Sequence, residues 1–276
     1  MLNIRTKHFT IRLSALLIIA TAGFIFILAE AFRAPDLKTQ IDTARAALAL
    51  TRQSQTIDFN ADDITADPYD TDEPTARKVL FLVKMLPLVV AENDRILAQR
   101  DAARRTSSPA QLNALALAHG LKPAPNVNKD ALLKRIDIVP PSLVLAQAAI
   151  ESAWGTSRFA REGNAFFGER TYDPDTPGIT PKRASGFKVK SFVSPQGSIR
   201  SYMRTLNTHR AYQALRDRRE ALRALDQPLS GQALTSHLKA YSELGGDYIS
   251  MIEDTIAANR LDDFDALIAQ TKSWGK

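Results

Sequence analysis

The chain contains no cysteine, which excludes disulfides, thiolate zinc sites and cysteine nucleophiles and leaves the redox compartment open. Histidine is scarce as well. His8, His119, His209 and His237 are scattered without H-x-x-x-H or H-E-x-x-H spacing, so no metal site is expected and no cofactor is implied. Aromatic residues make up 7% and the basic residues are dispersed, which argues against a nucleic-acid partner. There is no internal repeat and no low-complexity tract. The net charge of +6, from 36 basic and 30 acidic residues, suits any anionic partner without choosing one.

What is present fits a globular protein. The 276 residues, 45% apolar and 24% charged, are enough for one enzyme domain and an accessory region. From Leu13 to Ala29 no residue is charged, and Arg5, Lys7 and Arg12 precede that stretch. Its length is near the short limit for spanning the roughly 30 Å hydrocarbon layer. The basic lead-in predicts a cytoplasmic N-terminus, with the rest of the chain across an inner membrane in the periplasm. The competing reading is a signal peptide cleaved at Ala29-Glu30-Ala31 and release into the periplasm. The expected domains are a tip and transmembrane anchor (1–32), a helical and acidic linker (33–74), a helical accessory region (75–125) and a catalytic domain (126–272).

Residues 36–55 read as an alanine-rich helix and 58–74, with seven carboxylates, as a solvated linker. A helical period follows from Thr75 to Arg105, with Leu80, Val83, Leu86, Val90 and Leu97 as its apolar stripe and a kink expected at Pro87. Ser108-Pro109 opens a short helix that Gly120 closes.

Pro141-Ser142 opens the helix that carries the chemistry. Leu143, Ala146, Ile150 and Trp154 recur at helical spacing, with Gly155 as the expected stop. Glu151 shares the neighbouring stripe with Val144 and Gln147. In the last turn, the negative end of the helix dipole and the apolar surroundings both disfavour a carboxylate, so its proton affinity rises. A glycosidase needs such a carboxyl, still protonated near neutral pH, to protonate a departing sugar oxygen. The alternative is a surface glutamate at a helix end, or one paired with a nearby arginine such as Arg158 or Arg161. Beyond it, six of the twelve glycines fall between 155 and 197, marking an irregular lobe in which 186–190 alternate like a short strand. Ser194-Pro195 then starts a helix presenting Ile199, Tyr202, Met203 and Leu206 on one side.

Residues 145–157 (LAQAAIESAWGTS), 158–168 (RFAREGNAFFG), 201–212 (SYMRTLNTHRAY) and 241–248 (YSELGGDY) resemble glycoside hydrolase family 73, the peptidoglycan endo-β-N-acetylglucosaminidases, in its bacterial Bax-like branch. The likeness extends over some 190 residues, from about Arg77. It implies a lysozyme-like α+β fold, predominantly helical with a small β lobe, here preceded by the transmembrane helix and a helical N-terminal region. It also implies Glu151 as the general acid, Asn164, Phe166 and Phe167 in the wall below the sugar, and Tyr241 and Tyr248 along the cleft. The implied partner is the peptidoglycan glycan strand, with the inner membrane held through the N-terminal helix.

One departure stands out. Enzymes of this kind often use a second carboxylate from the β lobe, but 187–192 here supplies lysines, which leaves Glu169, Asp173 and Asp175 as candidates. Retaining and inverting outcomes are both open, as is participation by the substrate's own acetamido group. Two other functions compete with hydrolysis: a lytic transglycosylase, and a non-catalytic wall-binding scaffold. A related branch of the family acts on N-glycans.

Overall fold

The computed structural model describes residues 35–182 and 186–270. The chain divides into two compact units, Met1–Gln40 and Ile41–Lys276. Of the first, the described residues 35–40 open helix α1 (Leu37–Ser54). Everything below concerns the second.

The centre of this unit is α2 (Pro74–Arg105), 32 residues long and unbroken across Pro87. Glu73 caps it by accepting from the backbone amides of Thr75 and Ala76, and Pro74 takes the first position, where no amide is needed. Its first half is buried on most sides, from Leu80 to Val83 and again at Met85, Leu86 and Val89. Val90 and Leu97, expected in the buried stripe, are only half-buried. The acidic stretch before α2 is more than a solvated linker. Most of its carboxylates face solvent, but Ile64, Ala66 and Pro68 are buried.

Helices α3 (Pro109–Ala118) and α4 (Lys129–Arg135) follow, capped by Ser108 and Asn128. The connection from Ile136 to Pro140 is wholly buried, which is unusual for a loop and requires partners for its backbone. Arginines supply them. Arg219, itself 1% exposed, donates to the carbonyls of Lys134, Asp137 and Ile138, and Arg100 donates to those of Leu133 and Ile136. Asp137 lies among Arg100, Arg219 and Arg223. Burial alone would raise its pKa, but the three guanidinium groups outweigh that and hold it below the usual value.

This clamp delivers the chain into α5 (Pro141–Ser152), which is buried from Pro141 to Ala149. Helix α6 (Arg158–Gly163) leads into a small antiparallel sheet of β1 (Arg170–Thr171), β2 (Gly178–Ile179) and β3 (Lys188–Lys190), with β3 in the middle. Arg170 pairs with Val189, and Gly178 with Lys190. Gly178 has to be glycine, because a Cβ there would stand 2.7 Å from the Val189 carbonyl oxygen. The rest is helical: α7 (Pro195–Thr208), α8 (Gln213–Ala224), α9 (Gly231–Thr235), α10 (Gly246–Asn259) and α11 (Ala266–Gln270). Ile199, Tyr202, Met203 and Leu206 of α7 are buried, as their spacing predicts. Each such aliphatic side chain contributes about 1.5–3 kcal/mol on burial.

The mostly helical body with its small sheet is consistent with the lysozyme-like plan. The membrane helix expected before it is corrected: no helix among the described residues is long and apolar enough to cross a membrane. Even α2, which has the length, carries Lys78, Lys84, Glu92, Asp94, Arg95 and Arg100 along it. The stretch 13–29 and the cleavage site at 29–31, on which the expectation rested, lie outside the described residues. The single-pass inner-membrane location with a periplasmic domain is withdrawn with it.

Candidate active site

Glu151 is the next-to-last residue of α5 and half-buried. The helix stops one residue later through left-handed backbone at Ala153 (φ 51°) and Trp154 (φ 57°), followed by Gly155 (φ 80°). Two consecutive non-glycine residues in this region are strained. The turn is held by the Trp154 amide donating to Ala149 (2.8 Å), the Ser157 amide donating to Ser152 (2.9 Å) and the Gly155 amide donating to Ser152 Oγ (2.8 Å). Trp154 is thereby turned off the helix, edge-on to Phe81 with centroids 5.4 Å apart.

Burial pushes the Glu151 carboxyl above its usual pKa. A hydrogen bond from the Tyr248 hydroxyl to Oε1, at 2.9 Å, opposes that rise. No ion pair reaches the carboxyl among the described residues. Arg158 instead pairs with Glu162 and donates to the Thr180 carbonyl, while the Arg161 guanidinium lies over the Tyr69 ring.

Tyr248 is fixed in turn. Gln147, one helical turn before Glu151, donates through Nε2 to the Tyr248 oxygen at 2.9 Å, and the Tyr202 hydroxyl donates to Gln147 Oε1. The Tyr248 pKa is driven far up, first by burial and then by Glu151, so it remains a donor. Tyr241 stacks on Tyr248 (5.5 Å, 4° between planes) and donates to the Phe167 carbonyl at 3.1 Å. Phe167 stacks on Tyr202 at 4.0 Å.

The other carboxyl oxygen, Oε2, lies beside Gly168 (φ 63°), where a Cβ would come within 3.4 Å of it. Glu151 and Gly168 line a groove of about 710 Å³ together with Phe167, Glu169, Tyr241 and Glu243. Of the three candidates for a second carboxylate, only Glu169 lines it. Its Oε2 accepts from Ser201 (2.8 Å) and Lys190 (3.2 Å), and its Oε1 is buried without a hydrogen-bond partner. Asp173 and Asp175 are exposed, and Asp173 organises the turn before β2 by accepting from Thr176 Oγ1 and the Asp175 amide.

Asn164 and Phe166 are placed elsewhere. They line a second cavity of about 250 Å³ with Pro68, Phe81 and Gly155, and Asn164 donates to the Phe192 carbonyl at 3.0 Å. Sequence reasoning missed the part played by Gln147, although a polar residue four positions before Glu151 on a buried helix is a signal in itself. It also left Glu243 and Tyr202 without a role.

A carboxyl of raised pKa, free of ion pairs and set in a groove beside a small sheet, is the equipment of a glycoside hydrolase. Residues 129–260 match the glucosaminidase family, described as mannosyl-glycoprotein endo-β-N-acetylglucosaminidase. The chain is also similar to "Protein bax" of Escherichia coli (strain K12), with 35% identity over 185 residues. That match covers 63% of this chain and 66% of the relative. No solved structure matches. Residues 129–260 thus carry a glucosaminidase-family domain, a glycoside hydrolase domain.

Proposed function

We propose that this protein hydrolyses β-1,4 glycosidic bonds next to N-acetylglucosamine in cell-wall peptidoglycan, with Glu151 as the general acid. The observation that carries the proposal is the state of that carboxyl: desolvated, unpaired, and with one oxygen taken by Tyr248 and the other beside Gly168 in the groove. The proton leaves Oε2 for the glycosidic oxygen as the bond to the anomeric carbon breaks. The resulting carboxylate is stabilised by the Tyr248 hydroxyl, and water adds at the anomeric carbon, its released proton returning to the carboxylates of the groove and restoring the neutral Glu151 carboxyl. Glu169 is the second carboxylate of this scheme. It is supported by its place in the same groove and by the Ser201 and Lys190 contacts that fix its orientation.

The test is reducing-end release from purified peptidoglycan. Glu151→Gln is expected to lower the rate by about 10²–10⁴-fold. Mass spectrometry of the products is expected to show reducing N-acetylglucosamine ends; anhydro-muramic ends would replace hydrolysis by transglycosylation. Undiminished release by Glu151→Gln overturns the proposal.

A further inference from the structure

The groove beside Glu151 is chemically lopsided. Its lining carries three carboxyl groups (Glu151, Glu169 and Glu243) and, among the described residues, a single cation, Arg170. Arg170 opens β1 with its side chain on the exposed side, while Thr171 next to it points inward. Its guanidinium is held 4.8 Å from the centroid of the Phe187 ring, and Phe187 leans on Tyr172 at 6.2 Å. Stacking of this kind fixes the plane of a guanidinium and leaves its N–H edge available. No hydrogen bond or ion pair occupies that edge among the described residues. The neighbouring Lys190, by contrast, is engaged by Glu169.

A pre-oriented, unneutralised fork is built to take a planar oxyanion in two parallel hydrogen bonds. Hydroxyls of a neutral polysaccharide do not need it. Glu169 and Glu243 repel an anion elsewhere along the lining, so Arg170 is the place where a negatively charged group on the polymer is accepted. We propose that Arg170 reads a carboxylate of the polymer, making the site selective for carboxylated glycan over neutral glycan. This rests on the peptidoglycan reading above. The carboxylate has two sources of one chemistry, the stem peptide or the lactyl group of a peptide-free muramic sugar.

The test measures binding, so it stands apart from turnover. The Glu151→Gln protein is sedimented with three polymers: native peptidoglycan, the same material with carboxyls amidated, and peptide-stripped glycan strands. Native material is expected to bind about tenfold more tightly than amidated material, the ratio expected of one charge-assisted pair. Adding Arg170→Gln brings that ratio to about one, and Arg170→Lys restores part of it. Arg218→Gln, on the exposed face of α8, keeps the full ratio and controls for general electrostatic attraction. Tighter binding of native than stripped strands assigns the stem peptide; the reverse assigns the lactyl carboxylate. Equal binding of native and amidated polymer, or a ratio that survives Arg170→Gln, overturns the proposal. Failure of the wild-type protein to release sugar ends would instead strike the hydrolase reading, and the binding ratio would still decide for or against Arg170.

Discussion

The Tyr248 hydroxyl donates to Glu151 Oε1 at 2.9 Å, and it has no choice of direction. Tyr202 fills the oxygen of Gln147, so Gln147 can offer Tyr248 only an N–H. That N–H meets the Tyr248 oxygen, and the one phenolic proton is left for Glu151. Oε1 is therefore an acceptor, and the proton of the neutral carboxyl belongs on Oε2, the oxygen beside Gly168. The same bond stabilises the carboxylate and so lowers the pKa that burial raises.

Replacing Tyr248 by Phe removes the stabilisation of the charged form and keeps the ring stack. The Glu151 pKa rises further, and the alkaline limb of the pH–rate profile moves to higher pH. The maximal rate falls, roughly tenfold, because the carboxyl loses its fixed orientation. A limb that stays in place or moves to lower pH would contradict the arrangement.

Gly168→Ala places a methyl group 3.4 Å from Glu151 Oε2 on left-handed backbone (φ 63°). The backbone strain is about 1–2 kcal/mol, or a few degrees in Tm. The methyl group comes into van der Waals contact with Oε2 and covers part of its approach from the groove, so under the proposed role of Glu151 activity is expected to drop about tenfold at temperatures where the variant is fully folded. Thermal melts and sugar-end release measured together separate the two effects. A variant as active as wild type would show that this oxygen tolerates a neighbour.

Asp265 ties down the start of α5, the helix that ends with Glu151 and Ser152. Its carboxyl accepts from the Ser142 amide (2.8 Å), the Ser142 hydroxyl (2.7 Å) and the Gly231 amide (3.0 Å). Burial nevertheless pushes its pKa up to about 6, from 3.8, with those hydrogen bonds only partly opposing it. The folded state thus holds this proton more tightly than the unfolded state. The stability linked to it is complete below pH 3.8 and is lost as the pH rises through about 6, a change of roughly 3 kcal/mol. Asp265→Asn cannot titrate, so its penalty relative to wild type is expected to be larger at pH 4 than at pH 7 in urea unfolding. Equal penalties at both values would mean that Asp265 does not titrate in this window.

Arg219→Met should be severely destabilising, by about 3–5 kcal/mol, because it strips hydrogen bonds from buried carbonyls and leaves Asp137 with weaker compensation. Chemical denaturation measures this directly. A loss below 1 kcal/mol would mean that the loop before α5 does not depend on the clamp.

What the sequence made legible was local. Ser108-Pro109, Ser194-Pro195 and the alternation around Lys188 specify their elements through capping and spacing that neighbours along the chain supply, and all three stand in the structure. Glu151 at the end of an apolar helix was legible for the same reason. The end of that helix was not: Gly155 is the expected stop, but the turn begins at Ala153 and Trp154, residue types with no preference for left-handed backbone. The partners of α5 were hidden by distance along the chain, since Asp265 meets Ser142 across 123 residues and Tyr202 meets Gln147 across 55. Asn164 and Phe166 belong to another cavity because the chain turns through left-handed backbone at Asn164 (φ 50°).

That spacing has a bearing on biosynthesis. A nascent chain that has delivered Glu151 must still extend by 97 residues before Tyr248 emerges, and Asp265 comes later still. Until both are out, the Glu151 carboxyl has no phenol to orient it and its helix lacks the Asp265 anchor at its start. The full setting of Glu151 is thus assembled only once residues 248 and 265 have both left the ribosome.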